Sequence, residues 1–134
     1  MRELLTLKGS TDGSSTTGTF SLYSDMIYGS VSYVMIPKGL KAKVWCKRIS
    51  GKAVEVIIQF THDIYAGGST PSPDTADWTE VGHEVLVSEG ELILEKRRPL
   101  VLRGYTGKEA FRVRWSQSSA GLSYVEIEVE LTDE

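Results

Sequence analysis

The chain alternates. Val54, Val56, Ile58 and Phe60 fall on one side of a period-two run, with Glu55, Ile57 and Gln59 on the other. The C-terminal run repeats the pattern: Val125, Ile127, Val129 and Leu131 are interleaved with Glu126, Glu128 and Glu130. Side chains of a strand point to opposite faces in turn, so each run predicts a strand with one buried and one wet face. Phe111, Val113 and Trp115 alternate with Arg112 and Arg114 in the same way, which places Trp115 in the core. Further strands are expected over Arg2–Lys8, Thr17–Tyr23, Ser30–Pro37, Leu40–Ile49, Ala53–Thr61, Thr79–Val87, Glu91–Lys96 and Pro99–Tyr105.

Tight links separate them, among them Pro37-Lys38-Gly39, Ser50-Gly51-Lys52, Ser88-Glu89-Gly90 and Thr106-Gly107-Lys108. No apolar 3.6-residue period lasts long enough for a helix. Eight to ten short strands with frequent turns predict one all-β domain over residues 1–134, an antiparallel β-sandwich of jelly-roll type. The polar link Ser116–Gly121 suits a hairpin. Such a hairpin would set Arg112 and Arg114 beside the C-terminal glutamates as an opposite-charge ladder.

Two segments break the rhythm. Residues 9–18 are polar and glycine-rich and read as a flexible loop. Residues 62–78 form a long connection between good strands, the place to look for a site or contact surface.

Composition narrows the function. The 134 residues are 40% apolar and 25% charged, with a net charge of -3, as in an ordinary globular domain. That balance argues against a nucleic-acid partner, whose phosphates need Lys and Arg. Lys41, Lys43 and Lys47, and the run Lys96-Arg97-Arg98, read as edge-strand and corner charges. No run of about 18 apolar residues suggests a membrane span. The N-terminus, with an early acid and no apolar region, predicts no signal peptide. Synthesis in the cytoplasm is expected, compatible with a virion assembled inside a cell.

Candidate chemistry is sparse. His62 and His83 each precede an acid, but no nucleophile motif accompanies them, and Cys46 sits in an alternating strand as a core thiol. A lone cysteine forms no intramolecular disulfide, and two histidines with it match no zinc spacing. Asp63, Asp74 and Asp77 could offer oxygen ligands to calcium but match no EF-hand, and read as loop aspartates. No enzyme, metal or cofactor is expected. The candidate interaction surface is Tyr65, Asp74, Asp77 and Trp78 of the long loop, with Trp45 on the lysine-bearing strand. Tyr28 and Tyr105 could join them. The structural alternative for Trp78 is an anchor that packs the loop against the sandwich.

The run Val54–Thr61, the polar loop, then Asp77-Trp78-Thr79-Glu80-Val81 and the late Phe111-Arg112-Val113-Arg114-Trp115 resemble sandwich domains of two kinds. One is the phage and viral structural proteins, the other carbohydrate-binding modules. The resemblance covers residues 54–131 and carries no catalytic or ligand residue. It implies a jelly-roll virion subunit (decoration, cement or minor capsid) that self-associates, a trimer favoured, and contacts other capsid subunits. The alternative is a lectin-like sandwich holding a glycan or small ligand.

Overall fold

The computed structural model describes residues 2–24, 27–86, 90–93 and 99–134. The Ser88-Glu89 turn and the Lys96-Arg97-Arg98 run lie outside them, as do the side chains of Tyr28 and His83. Two antiparallel sheets are built from β1 (Arg2–Ser10), β2 (Thr17–Thr19), β3 (Leu22–Ser24), β4 (Ile27–Val31), β5 (Val34–Met35), β6 (Lys41–Gly51), β7 (Val54–Thr61), β8 (Thr79–Leu86), β9 (Gly90–Ile93), β10 (Leu100–Arg103), β11 (Ala110–Ser116) and β12 (Ser123–Thr132). One sheet runs β10-β6-β12-β1-β3-β4, with β9 also on β6. The other runs β2-β11-β7-β8, with β5 also on β11.

Reduced to the principal strands, the orders are β1-β12-β6-β10 and β2-β11-β7-β8. That is the jelly roll, in which consecutive strands are dealt between two facing sheets by paired Greek keys. Alternation explains why it closes. Leu7, Val44, Ile127 and Val129 from one sheet meet Val56, Phe111, Val113 and Trp115 from the other in one buried cluster.

Three expectations are corrected. β11 and β12 are not a hairpin. β11 pairs with β7 and β2, and β12 with β6 and β1, so Arg112 and Arg114 lie on the opposite sheet from the glutamates. A hairpin would have put both apolar faces on one side of one sheet, whereas parted they cover each other. The glutamates instead take cations from their own sheet: Arg2 and Lys43 reach Glu130 at 3.4 and 4.0 Å, and Lys47 reaches Glu128 at 4.0 Å. Second, the runs 17–23 and 30–37 are each divided. β2 and β5 belong to one sheet, β3 and β4 to the other. The first crossing falls at Phe20, buried against Trp115 with ring centroids 5.1 Å apart. Gly18 is required there, because a Cβ would stand 2.4 Å from the Trp115 ring.

Third, residues 9–18 are not loop throughout. Gly9 and Ser10 belong to β1, Thr17 and Gly18 to β2. Between them the exposed Asp12 accepts the Ser14 and Ser15 amides at 2.9 and 2.8 Å, which hold its carboxyl below the ordinary range.

A buried polar corner ties this loop to the β11–β12 crossover. The Thr11 hydroxyl donates to Gly121 O (2.7 Å) and accepts the Ser123 amide (2.9 Å). Gln117 Nε2 donates to Gly121 O and to Ser123 Oγ, which in turn donates to Lys52 O. Replacing Thr11 by Val keeps the volume but leaves a buried amide and a carbonyl without this partner. Urea unfolding of Thr11→Val should show a loss of about 1–3 kcal/mol with an unchanged denaturant slope.

Candidate functional site

Two surfaces concentrate polar and aromatic groups. The first is the 62–78 connection, which has no strand of its own but is braced throughout. Ile64 is fully buried; its amide donates to Lys108 O at 2.8 Å and its carbonyl accepts Ser72 N at 2.7 Å. Asp63 Oδ1 accepts the Tyr65 amide (2.9 Å) and Oδ2 the Gly67 amide (3.3 Å). Gly68 N donates to Tyr65 O at 2.9 Å. Tyr65 itself is half-buried. A positive φ at Ala66 (51°) and Gly67 (83°) turns the chain back.

Trp78 is the loop's anchor, and not an open stacking platform. Its indole N–H donates to Pro73 O at 2.8 Å, and the Arg112 guanidinium lies 4.3 Å from its ring centroid. Arg112 is itself fixed by Gln59, to which its Nε donates at 2.8 Å. Burial, then the charge of Arg114, draws the Arg112 pKa down, and Asp74 opposes both. Asp74 is therefore an electrostatic neighbour of this cation–π pair, worth about 0.5–2 kcal/mol. Asp77 lines a cleft with His62, Asp63 and Thr75. His62 packs edge-on against Phe60, with centroids 4.9 Å apart. Among the described residues no three His, Cys, Asp or Glu side chains could share a metal ion.

Trp45 does not join this surface. It stands on the other sheet, opposite Glu128, and only 8% of it is exposed, so it presents no platform to solvent. Cys46 points into the core.

Sequence reasoning missed the group that steadies the loop from beneath. Glu109 is 2% exposed, and its carboxylate collects the amides of Tyr105 (2.9 Å), Thr106 (3.2 Å) and Gly107 (3.1 Å) and the Thr106 hydroxyl (3.0 Å). Burial is the largest influence on this carboxyl and raises its pKa. The N–H donors of Tyr105, Glu109 itself and Thr106, with the Thr106 hydroxyl, together outweigh it and bring the pKa below the ordinary 4.5. The capped turn carries Lys108, whose carbonyl holds Ile64. Its signal lies in Tyr105-Thr106-Gly107-Lys108-Glu109, a turn followed at once by an acid in phase with the apolar Phe111, Val113 and Trp115.

The second surface lies on the outer face of the larger sheet. An open groove of about 250 Å³ is lined by Lys8, Tyr23, Arg48, Ser50, Tyr124 and Glu126. The strand registers place Tyr23, Lys8, Glu126 and Arg48 on one rung across β3, β1, β12 and β6. Ser10, Tyr124 and Ser50 form another rung, two residues along β12. Arg48 is there because of a bulge. Cys46 opposes Ile127 and Arg48 opposes Glu126, so Lys47 is the extra residue. Before it Ala42, Val44 and Cys46 point inward; after it Ile49 does, and Arg48 turns out. Bulges commonly re-aim a side chain in this way. The shift from even to odd apolar positions between Cys46 and Ile49 was the sequence signal for it.

No family model matches the chain, and no curated protein shows significant similarity to it. No helix among the described residues is long and apolar enough to cross a membrane.

The Glu109 cap sets an acid limit. A carboxyl whose folded pKa is depressed stabilises the fold above its unfolded value, and loses that contribution as the pH falls through the folded value. Stability of the native chain should therefore decline on acidification below about 4.5. Glu109→Gln should lose about 1.5–3 kcal/mol at neutral pH. Urea midpoints measured from pH 7 to pH 3 should fall less steeply for this variant than for the native chain.

Proposed function

We propose that this protein is a non-enzymatic structural subunit, a virion decoration, cement or minor capsid protein that assembles with copies of itself, as a trimer, and with other capsid subunits. The observation that carries this reading is the bracing of the 62–78 loop. Its base is locked by Ile64, by the Lys108 carbonyl and by the Trp78–Arg112 pair, while Ala66 to Pro71 stand exposed at its tip. A loop already fixed in one shape loses little freedom on meeting a partner, so more of its contact energy remains as affinity. The jelly-roll order is consistent with this use but hosts many others. A second reading, a carbohydrate- or small-ligand-binding sandwich, is favoured by the groove between Tyr23 and Tyr124 rather than by the loop.

Light scattering on a sizing column across a dilution series tests the first reading. A trimer that survives dilution is expected; a monomer at every concentration, and no uptake onto shells, would overturn it. Deleting 64–76 would remove the buried Ile64, so the informative variant replaces only 66–71 by a short Gly-Ser link. That variant should keep its thermal midpoint and lose mass on dilution. Unchanged assembly would take the contact away from this loop.

A further inference from the structure

We infer that the groove on the outer face of the larger sheet is a binding site for a neutral glycan of at least two linked pyranose rings, with Tyr23 and Tyr124 as stacking platforms. The inference rests on the second reading of function and is independent of self-assembly.

The aromatic part comes first. Tyr23 is 51% exposed and Tyr124 50%. Half-exposed tyrosines on a sheet face normally lean on large neighbours, but the residues directly opposite Tyr124 are Ser10 and Ser50. Those small side chains leave its flanks open. Tyr23 sits across Lys8 from the Glu126 rung, and Tyr124 is two residues along β12. Two strand spacings and two residue rises separate their Cα atoms by about 12 Å. That is the reach of two linked sugar rings, each offering an apolar C–H face to an amphipathic aromatic.

The polar part matches the rest of a pyranose. Between and beside the tyrosines stand Lys8 and Arg48, which donate, Glu126, which accepts, and Ser50, which does both. A sugar presents paired hydroxyls that donate and accept at once, and this mixed rung answers both halves. Glu126 stands between Lys8 and Arg48 on the rung and offsets part of their charge, which favours a neutral glycan over a phosphate-bearing polymer. The bulge at Lys47 completes the site. With regular pairing Arg48 would point into the core and Lys47 would face Glu126 in its place, so the bulge is what sets a guanidinium on this rung. A few convergent polar groups around an apolar platform on a rigid sheet are the usual make-up of a small-ligand site.

The test uses the full chain in affinity gels containing cellulose-, xylan-, mannan-, starch- and galactan-type soluble polysaccharides, followed by titration with the corresponding hexasaccharides. Tyr23→Ala and Tyr124→Ala are read in parallel, with circular dichroism confirming their fold. At least one glycan should retard the native chain, and each variant should weaken it by about tenfold, the usual loss of one aromatic contact. Retardation that survives both substitutions would overturn this site while leaving a binding module standing. Silence across the panel would overturn both. Tyrosine resonances that respond to dilution and not to any sugar would assign the face to contacts between copies of the chain, and would also overturn the proposal.

Discussion

The fold depends on β12 being satisfied on three sides. One ladder joins it to β1 along its whole length, and another joins it to β6. Its apolar side chains Val125, Ile127, Val129 and Leu131 complete the buried cluster against the other sheet. Buried backbone groups must be paired, so a strand in this position cannot slip by one residue without turning glutamates inward. The register of the outer face follows from that constraint. Lys8, Glu126 and Arg48 are neighbours because Ile127 and Val125 are core.

The two surfaces are built on different economies. The 62–78 loop is held by hydrogen bonds that its own polar residues supply, and by a buried carboxylate several strands away in sequence. Its aromatic, Trp78, is spent on Arg112. The outer groove has no loop at all. It is assembled from four strands whose exposed side chains meet only through pairing, so its geometry is as rigid as the ladder beneath it. A site on paired strands holds its shape better than one on a connection.

Much of the architecture was legible in the sequence. Alternation located the long strands, the core positions of Val113, Trp115 and Ile127, and the limits of the 62–78 loop. It could not locate strand partners, because period two records which face is buried and not which sheet a strand joins. That is why Arg112 and Arg114 were expected beside the glutamates. The short apolar runs at 17–23 and 30–37 hid their sheet crossings for the same reason. Trp45 shared parity with lysines and was expected to be open; its burial depends on neighbours that sequence spacing does not name. Tyr23 and Tyr124 lie far apart in the chain, and only the β3-β1-β12 order brings them to one face.

The place of β12 has a consequence for how the molecule is made. It is synthesised after every strand it joins, so until it emerges from the ribosome β1 and β6 each carry an unpaired edge. Those edges border apolar faces and await a partner far along the chain. Loop closure over such a separation is slow, and folding rates fall as contacts become less local. The nascent protein therefore has a window in which two open strands can find another copy before they find their own third strand, and yield will depend on how soon β12 follows them.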